Sequence, residues 1–151
     1  MAIRSKGATF EWRMSAPDSD VDENCHVSNI AYLRWIQDAA RAHSDAIGWD
    51  RDRYRSTGCF FLIRRHEVDY MRPTMGGDEV KIVTWVDEFR PASAVRVTHI
   101  LRVRDEAPLV FAKTEWVFVA IDGGRPRRIP VELTSAFMKH LVPAELGKGQ
   151  S

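Results

Sequence analysis

Phe10-Glu11-Trp12-Arg13-Met14 alternates apolar and charged side chains, the period of two that a half-buried strand requires. A first strand is predicted to end near Ser15, and Ala16-Pro17-Asp18-Ser19-Asp20 has the composition of a turn. Over residues 28–47 the period changes. Arg34, Gln37, Asp38, Arg41 and Asp45 recur at helical spacing, while Tyr32, Leu33, Ile36, Ala39, Ala40 and His43 fall on the opposite face. One long helix is expected, closed by Gly48. Arg34 with Asp38 and Arg41 with Asp45 are spaced for i,i+4 pairs, each worth only a few tenths of a kcal/mol. The apolar face must therefore hold the helix in place.

Residues 49–58 are charged and irregular, which leaves a short helix and a mobile flap both open. Four strand-like stretches follow at 59–71, 79–89, 94–104 and 109–121. Their connections are short and rich in turn formers, so each strand is expected to neighbour the next in antiparallel fashion. In the third, Val95, Val97, His99, Leu101 and Val103 alternate with Arg96, Thr98, Ile100, Arg102 and Arg104. The first set reads as a buried face and the second as a wet one, with its arginines ordinary solvated residues. A basic turn over 122–130, a short helical stretch over 131–140 and a disordered tail from 142 complete the pattern. A strand, one long helix and four antiparallel strands make an α+β fold, with the helix packed on one face of the sheet.

Composition narrows the picture by exclusion. A chain of 151 residues is expected to be one domain over 1–151, with its core at about 10–140. A net charge of +1 with interleaved signs argues against bulk binding to nucleic acid or a membrane. Cys25 and Cys59 do not make a disulfide framework, and Met1-Ala2-Ile3-Arg4-Ser5-Lys6-Gly7 is no signal-peptide core, so a cytoplasmic location is expected. No apolar run approaches the roughly 20 residues of a membrane span. Neither metal-ligand spacing nor a glycine-rich nucleotide loop is present, so no cofactor or metal is expected.

The candidate chemistry lies just before the helix. Asp22, Asn24 and His26 alternate in a segment too polar to be core, and Asp22 or Ser28 could cap the first free N–H groups of the helix. Those N–H groups and the positive end of the helix dipole favour developing negative charge, which suits a carbonyl compound attacked by water. The pattern filled by Asp22, Asn24, His26, Val27, Asn29, Tyr32 and Trp35 resembles the signature of hotdog-fold thioesterases. It is close to the plant fatty acyl-carrier-protein thioesterases and related to the 4-hydroxybenzoyl-CoA thioesterase group.

The resemblance implies a hotdog fold, an antiparallel sheet wrapped around one long central helix. It also implies hydrolysis of an acyl-CoA or acyl-carrier-protein thioester by a homodimer or a dimer of dimers with active sites between subunits. Asp22 matches the family's catalytic aspartate, as general base or as nucleophile through a mixed anhydride. Asn24 and His26 match residues thought to orient the thioester and water. Backbone N–H groups near Ser28 and Asn29 would polarise the carbonyl, with Asn29 anchoring the loop through its amide and Tyr32 and Trp35 packing or walling a pocket.

Pro73 and Thr74 stand where the plant enzymes carry a glutamate and a cysteine, so no cysteine nucleophile is expected there. Glu67 and His66 are weak candidates for a helper. A carrier phosphate would call for arginines, with Arg90, Arg127 and Arg128 the candidates. Two alternatives arise from the same motif. A hotdog hydratase places its histidine five positions after the aspartate, whereas His26 is four after Asp22. A non-catalytic acyl-CoA-binding module would not need the acidic side chain of Asp22.

Overall fold

The computed structural model describes residues 8–139, and the tail expected from 142 lies outside them. Strand β1, Phe10–Ser15, leads through a 3-10 turn at Asp18–Asp20 and the motif loop into helix α1, Asn29–Ala46. Eighteen residues make this helix about 27 Å long. Ser28 caps it, its Oγ accepting from the Ala31 N–H at 3.3 Å, and Gly48 ends it at φ 90°, where a residue with a Cβ would be strained. Residues 49–58 settle as a helix, α2, Arg51–Thr57, between an Asp50 cap and Gly58 at φ 73°.

Strands β2 (Cys59–Tyr70), β3 (Glu79–Phe89), β4 (Ser93–Arg102) and β5 (Pro108–Ala120) follow, and α3 is Val131–Met138. All pairings are antiparallel in the order β1-β3-β4-β5-β2. The short link between β2 and β3 does not join neighbours, contrary to the expectation from loop length. It carries the chain from one edge of the sheet to the far side of β4, and β2 pairs β5 instead. That crossover is possible because the sheet curves around α1, whose Ala31, Tyr32, Trp35, Ile36 and Ala39 pack in one core with Val80, Ile82, Ile100, Leu109, Val110 and Ala112. This is the hotdog arrangement.

Two local expectations fail for physical reasons. The polar face of α1 makes neither i,i+4 pair: Arg34 bonds Asp20 outside the helix, and Arg41 lies 3.9 Å from Asp38. The faces of β4 are also reversed. Arg96, Thr98 and Ile100 point inward and are buried, while Val97, His99 and Leu101 lie on the outer face. There Val97 packs with Val83, Trp85 and Phe111. A central strand covered on both faces carries no simple wet-and-dry alternation. The inner face also holds a threonine ladder, with Thr84 Oγ1 donating to Val97 O at 2.9 Å and lying 3.1 Å from Thr98 Oγ1.

Candidate functional site

The motif loop is a tight turn closed on itself. The Asp22 N–H donates to His26 O at 2.8 Å and the Cys25 N–H to Asp22 O at 3.0 Å, with Cys25 at φ 64°. Asp22 Oδ1 accepts from the backbone N–H of Asn24 at 2.9 Å and of His26 at 3.2 Å. Asp22 is therefore not the helix cap. It organises the turn, is exposed, and has no partner on Oδ2 among the described residues.

The same turn brings Asn24 and His26 beside Asp22, but through their backbones. Both side chains are exposed and make no hydrogen bond among the described residues. The Ser28 N–H donates to Asp20 O at 2.9 Å, which removes it from the expected carbonyl donors. The first N–H groups of α1, on Asn29 and Ile30, have no intrahelical acceptor and remain at the helix N-terminus. The Asn29 amide does not anchor the loop. It makes no hydrogen bond among the described residues, and only the Asn29 carbonyl is approached, by Tyr70 Oη at 3.5 Å.

The anchors are elsewhere. Buried Asp20 accepts from Trp35 Nε1 at 2.8 Å and from Arg34. Tyr32 Oη donates to Thr74 Oγ1 at 2.8 Å and accepts from the Thr74 N–H at 3.2 Å, while the Val27 N–H donates to Thr74 O at 2.8 Å. The aromatic residues of the motif thus fasten the loop to the helix behind it and to the link after β2. Asp20 and Thr74 escaped the sequence reading because their partners lie across the fold, with no periodic signal to mark them.

A cavity of about 1170 Å³ opens between α1, α2 and the first half of β2. Its walls are mostly apolar, including Trp49, Phe61, Phe89 and Trp116, and its polar groups include Ser44, Tyr54, His66 and Arg96. His66 Nδ1 lies 2.9 Å from Thr114 Oγ1, and burial holds its pKa below the ordinary value. Burial raises the pKa of the Tyr54 hydroxyl. Glu67 is exposed and paired with Arg65 at 2.7 Å, outside the residues lining the cavity, as is Asp22.

Of the arginines expected to meet a carrier phosphate, Arg90 and Arg128 line one small cleft of about 290 Å³ beside the start of α3. Arg127 is not among its lining residues and donates to Pro126 O at 3.3 Å. Arg90 is partly neutralised by Glu88 at 2.5 Å and Glu115 at 3.9 Å.

The thioesterase-like superfamily matches residues 17–137. The chain belongs to that superfamily. No curated protein matches it in sequence, but solved structures resemble it closely in shape. A 1,4-dihydroxy-2-naphthoyl-CoA thioesterase from Synechocystis superposes with TM-score 0.80 at 16% identity, covering 86% of this chain and 96% of its own. A DHNA-CoA thioesterase from Staphylococcus aureus gives 0.80 at 18% identity, covering 95% and 97%. A third structure, a hypothetical protein from Staphylococcus aureus in complex with CoA, gives 0.80 at 11% identity, covering 99% and 90%. At these identities the likeness speaks for the hotdog fold. Within the superfamily, the motif residues Tyr32 and Trp35 of this thioesterase-like chain hold the loop that carries Asp22.

Proposed function

We propose that the protein hydrolyses an acyl-CoA or acyl-carrier-protein thioester. The observation that carries this reading is the Asp22 carboxylate, exposed, with one oxygen held by two N–H groups and the other open, just before a helix N-terminus with free N–H groups. As general base, Asp22 takes a proton from water while the water oxygen adds to the thioester carbon. Oxyanion charge then forms near the Asn29 and Ile30 N–H groups. The C–S bond breaks, the thiolate takes up the proton, and a carboxylic acid and a thiol leave. As nucleophile, the Asp22 carboxylate adds to the thioester carbon and the C–S bond breaks to release thiolate, leaving a mixed anhydride that water opens to the free acid and the Asp22 carboxylate. His26 follows in the same turn as a candidate to assist, although a thiolate needs little help in leaving.

The reading also calls for two copies of the chain. Among the described residues the outer edge of β2 is unpaired, and β2 exposes Phe60, Leu62 and Tyr70. Within one chain the loop lies by the Tyr70 end of β2 and the cavity by the Cys59 end. Antiparallel pairing of β2 with its copy across a two-fold axis brings each loop to the cavity of the other copy. Acyl binding and attack are then shared between protomers, as in the homodimer or dimer of dimers expected from the motif. Arg90 and Arg128 are the candidate carrier-phosphate contacts.

The test is thiol release from short, long and aromatic acyl-CoA and acyl-carrier-protein substrates, with wild type and Asp22→Asn side by side. The substitution should lower turnover by at least ~10²-fold with little loss of stability, as expected for a general base at an exposed position. Near-normal turnover would remove Asp22 from the mechanism. Sedimentation at assay concentrations should show a dimer or a multiple of one, and full turnover by a monomer would refute the shared site.

A further inference from the structure

We propose that the cavity is built for an acyl group with a carboxylate at its far end, recognised by Arg96, so that the preferred substrates are thioesters of dicarboxylic acids. This rests on the thioesterase reading above and names its substrate class. Arg96 stands on β4 with its side chain turned inward, only 4% exposed, and lines the cavity. Its Nη1 donates to His43 Nδ1 at 2.9 Å and to Thr84 Oγ1 at 3.1 Å, and its guanidinium carbon lies 5.5 Å from the Phe137 ring centre. All three neighbours are neutral.

His43 cannot serve as a counter-ion. Its Nδ1 accepts from Arg96, so its proton sits on Nε2, which is buried without a partner. Among the described residues no Asp or Glu forms an ion pair with Arg96, and the guanidinium hydrogen-bonds through Nη1 alone. Burial lowers the Arg96 pKa to about 10, which leaves the group charged at neutral pH. The carboxylates that line the cavity, Asp45, Asp50 and Asp52, are exposed, and Asp50 is engaged as the cap of α2.

The other arginines that line the cavity, Arg41, Arg51 and Arg55, are exposed, and Ser44 and Tyr54 are occupied. Ser44 Oγ donates to Trp49 O at 2.6 Å, so in its 2.9 Å contact with Tyr54 Oη the phenol is the donor. The cavity thus presents a buried cation with open N–H groups among mostly apolar walls. A plain alkyl chain would cover those N–H groups with methylene and leave them unbonded. A carboxylate would give them charge-assisted, planar hydrogen bonds.

The experiment compares kcat/KM for pairs of CoA thioesters of equal chain length, butanoyl with succinyl and hexanoyl with adipoyl, in wild type, Arg96→Met and Arg96→Lys. Wild type should favour the carboxylated member of at least one pair by ~10-fold or more, a lower bound for a site whose buried polar groups an uncharged analogue leaves unbonded. Arg96→Met should bring that ratio near one, chiefly through KM. Arg96→Lys should keep part of it. A wild-type ratio near or below one in both pairs, or equal loss on both members in the variants, overturns the proposal.

A second measurement separates this from failure of the thioesterase reading. Tryptophan fluorescence, to which Trp49 and Trp116 in the cavity wall contribute, is titrated with benzoate and with benzamide. Saturable binding of benzoate, weaker for benzamide and weakened by Arg96→Lys, supports the anion site even if no thioester is hydrolysed. Equal binding of the two, or binding of neither, overturns it. If Arg96→Met does not fold, the wild-type ratios and Arg96→Lys still decide.

Discussion

Replacing Asp20 by alanine tests whether the loop that carries Asp22 is held from behind. The carboxylate has two partners of different worth. Trp35 is buried, and its Nε1–H reaches Asp20 Oδ2 at 2.8 Å. Removing the acceptor strands that donor, which costs about 1–3 kcal/mol. The Arg34 side chain is 53% exposed, so its ion pair is worth about 1 kcal/mol at most. Asp20→Ala should therefore lose about 1–4 kcal/mol, whereas Arg34→Ala should lose no more than about 1 kcal/mol.

Asp20→Asn keeps an oxygen for the indole and should fall between the two. Urea unfolding followed by circular dichroism measures all three, with slopes of about 1–3 kcal/mol/M converting each loss to a midpoint shift. Where the Asp20→Ala protein is still fully folded, turnover should drop by about 10-fold or more, because small displacements of a positioned group are costly. A loss within about 0.5 kcal/mol of wild type, the range of an ordinary surface substitution, would refute the claim that Asp20 fastens the loop. Equal losses for Asp20→Ala and Arg34→Ala would move the weight from the indole to the ion pair.

The buried histidine predicts acid sensitivity. His43 has its pKa lowered from 6.5 to about 2, by burial first and by the charge of Arg96 second. Between those values the unfolded chain binds the extra proton and the folded chain does not, so stability falls as pH drops below about 6.5, by up to about 1.4 kcal/mol per unit. Urea titrations at pH 7 and 5 should show the slope, added to by His66 and His99, whose pKa values burial also lowers. His43→Gln should flatten it, and an unchanged slope would assign the sensitivity to other groups. For the cleft proposed to meet a carrier phosphate, Arg128→Ala should raise KM for CoA substrates more than it lowers kcat. An unchanged KM in steady-state assays would put the phosphate elsewhere.

Periodicity made most of the architecture legible. The apolar face of α1, the Ser28 cap, Gly48 and the strand spans all follow from local rules, and the structure differs from them by a residue or two at the ends. The position of Asp22 before the helix was equally legible, because a motif of fixed spacing lies within one turn. Its partners were not. The expectation that Ser28 and Asn29 serve the carbonyl fails in part because Asp20 O takes the Ser28 N–H, and the sequence does not mark that contact.

Arg96 is the sharpest contrast. In a run of alternating residues its charge reads as solvent-facing, and the reading is sound for a sheet with one wet face. Two contacts overturn it, His43 from α1 and Thr84 from β3, both more than ten residues away along the chain. Local spacing by itself determined the helix, the strands and the loop that carries Asp22, since these depend on neighbours within a turn or two. Only the tertiary structure decided that β2 lies beside β5, that Asp20 and Thr74 hold the loop, and that a cation faces a cavity. Those outcomes depend on how the sheet curves around α1, and burial is a property of the closed fold rather than of any stretch within it.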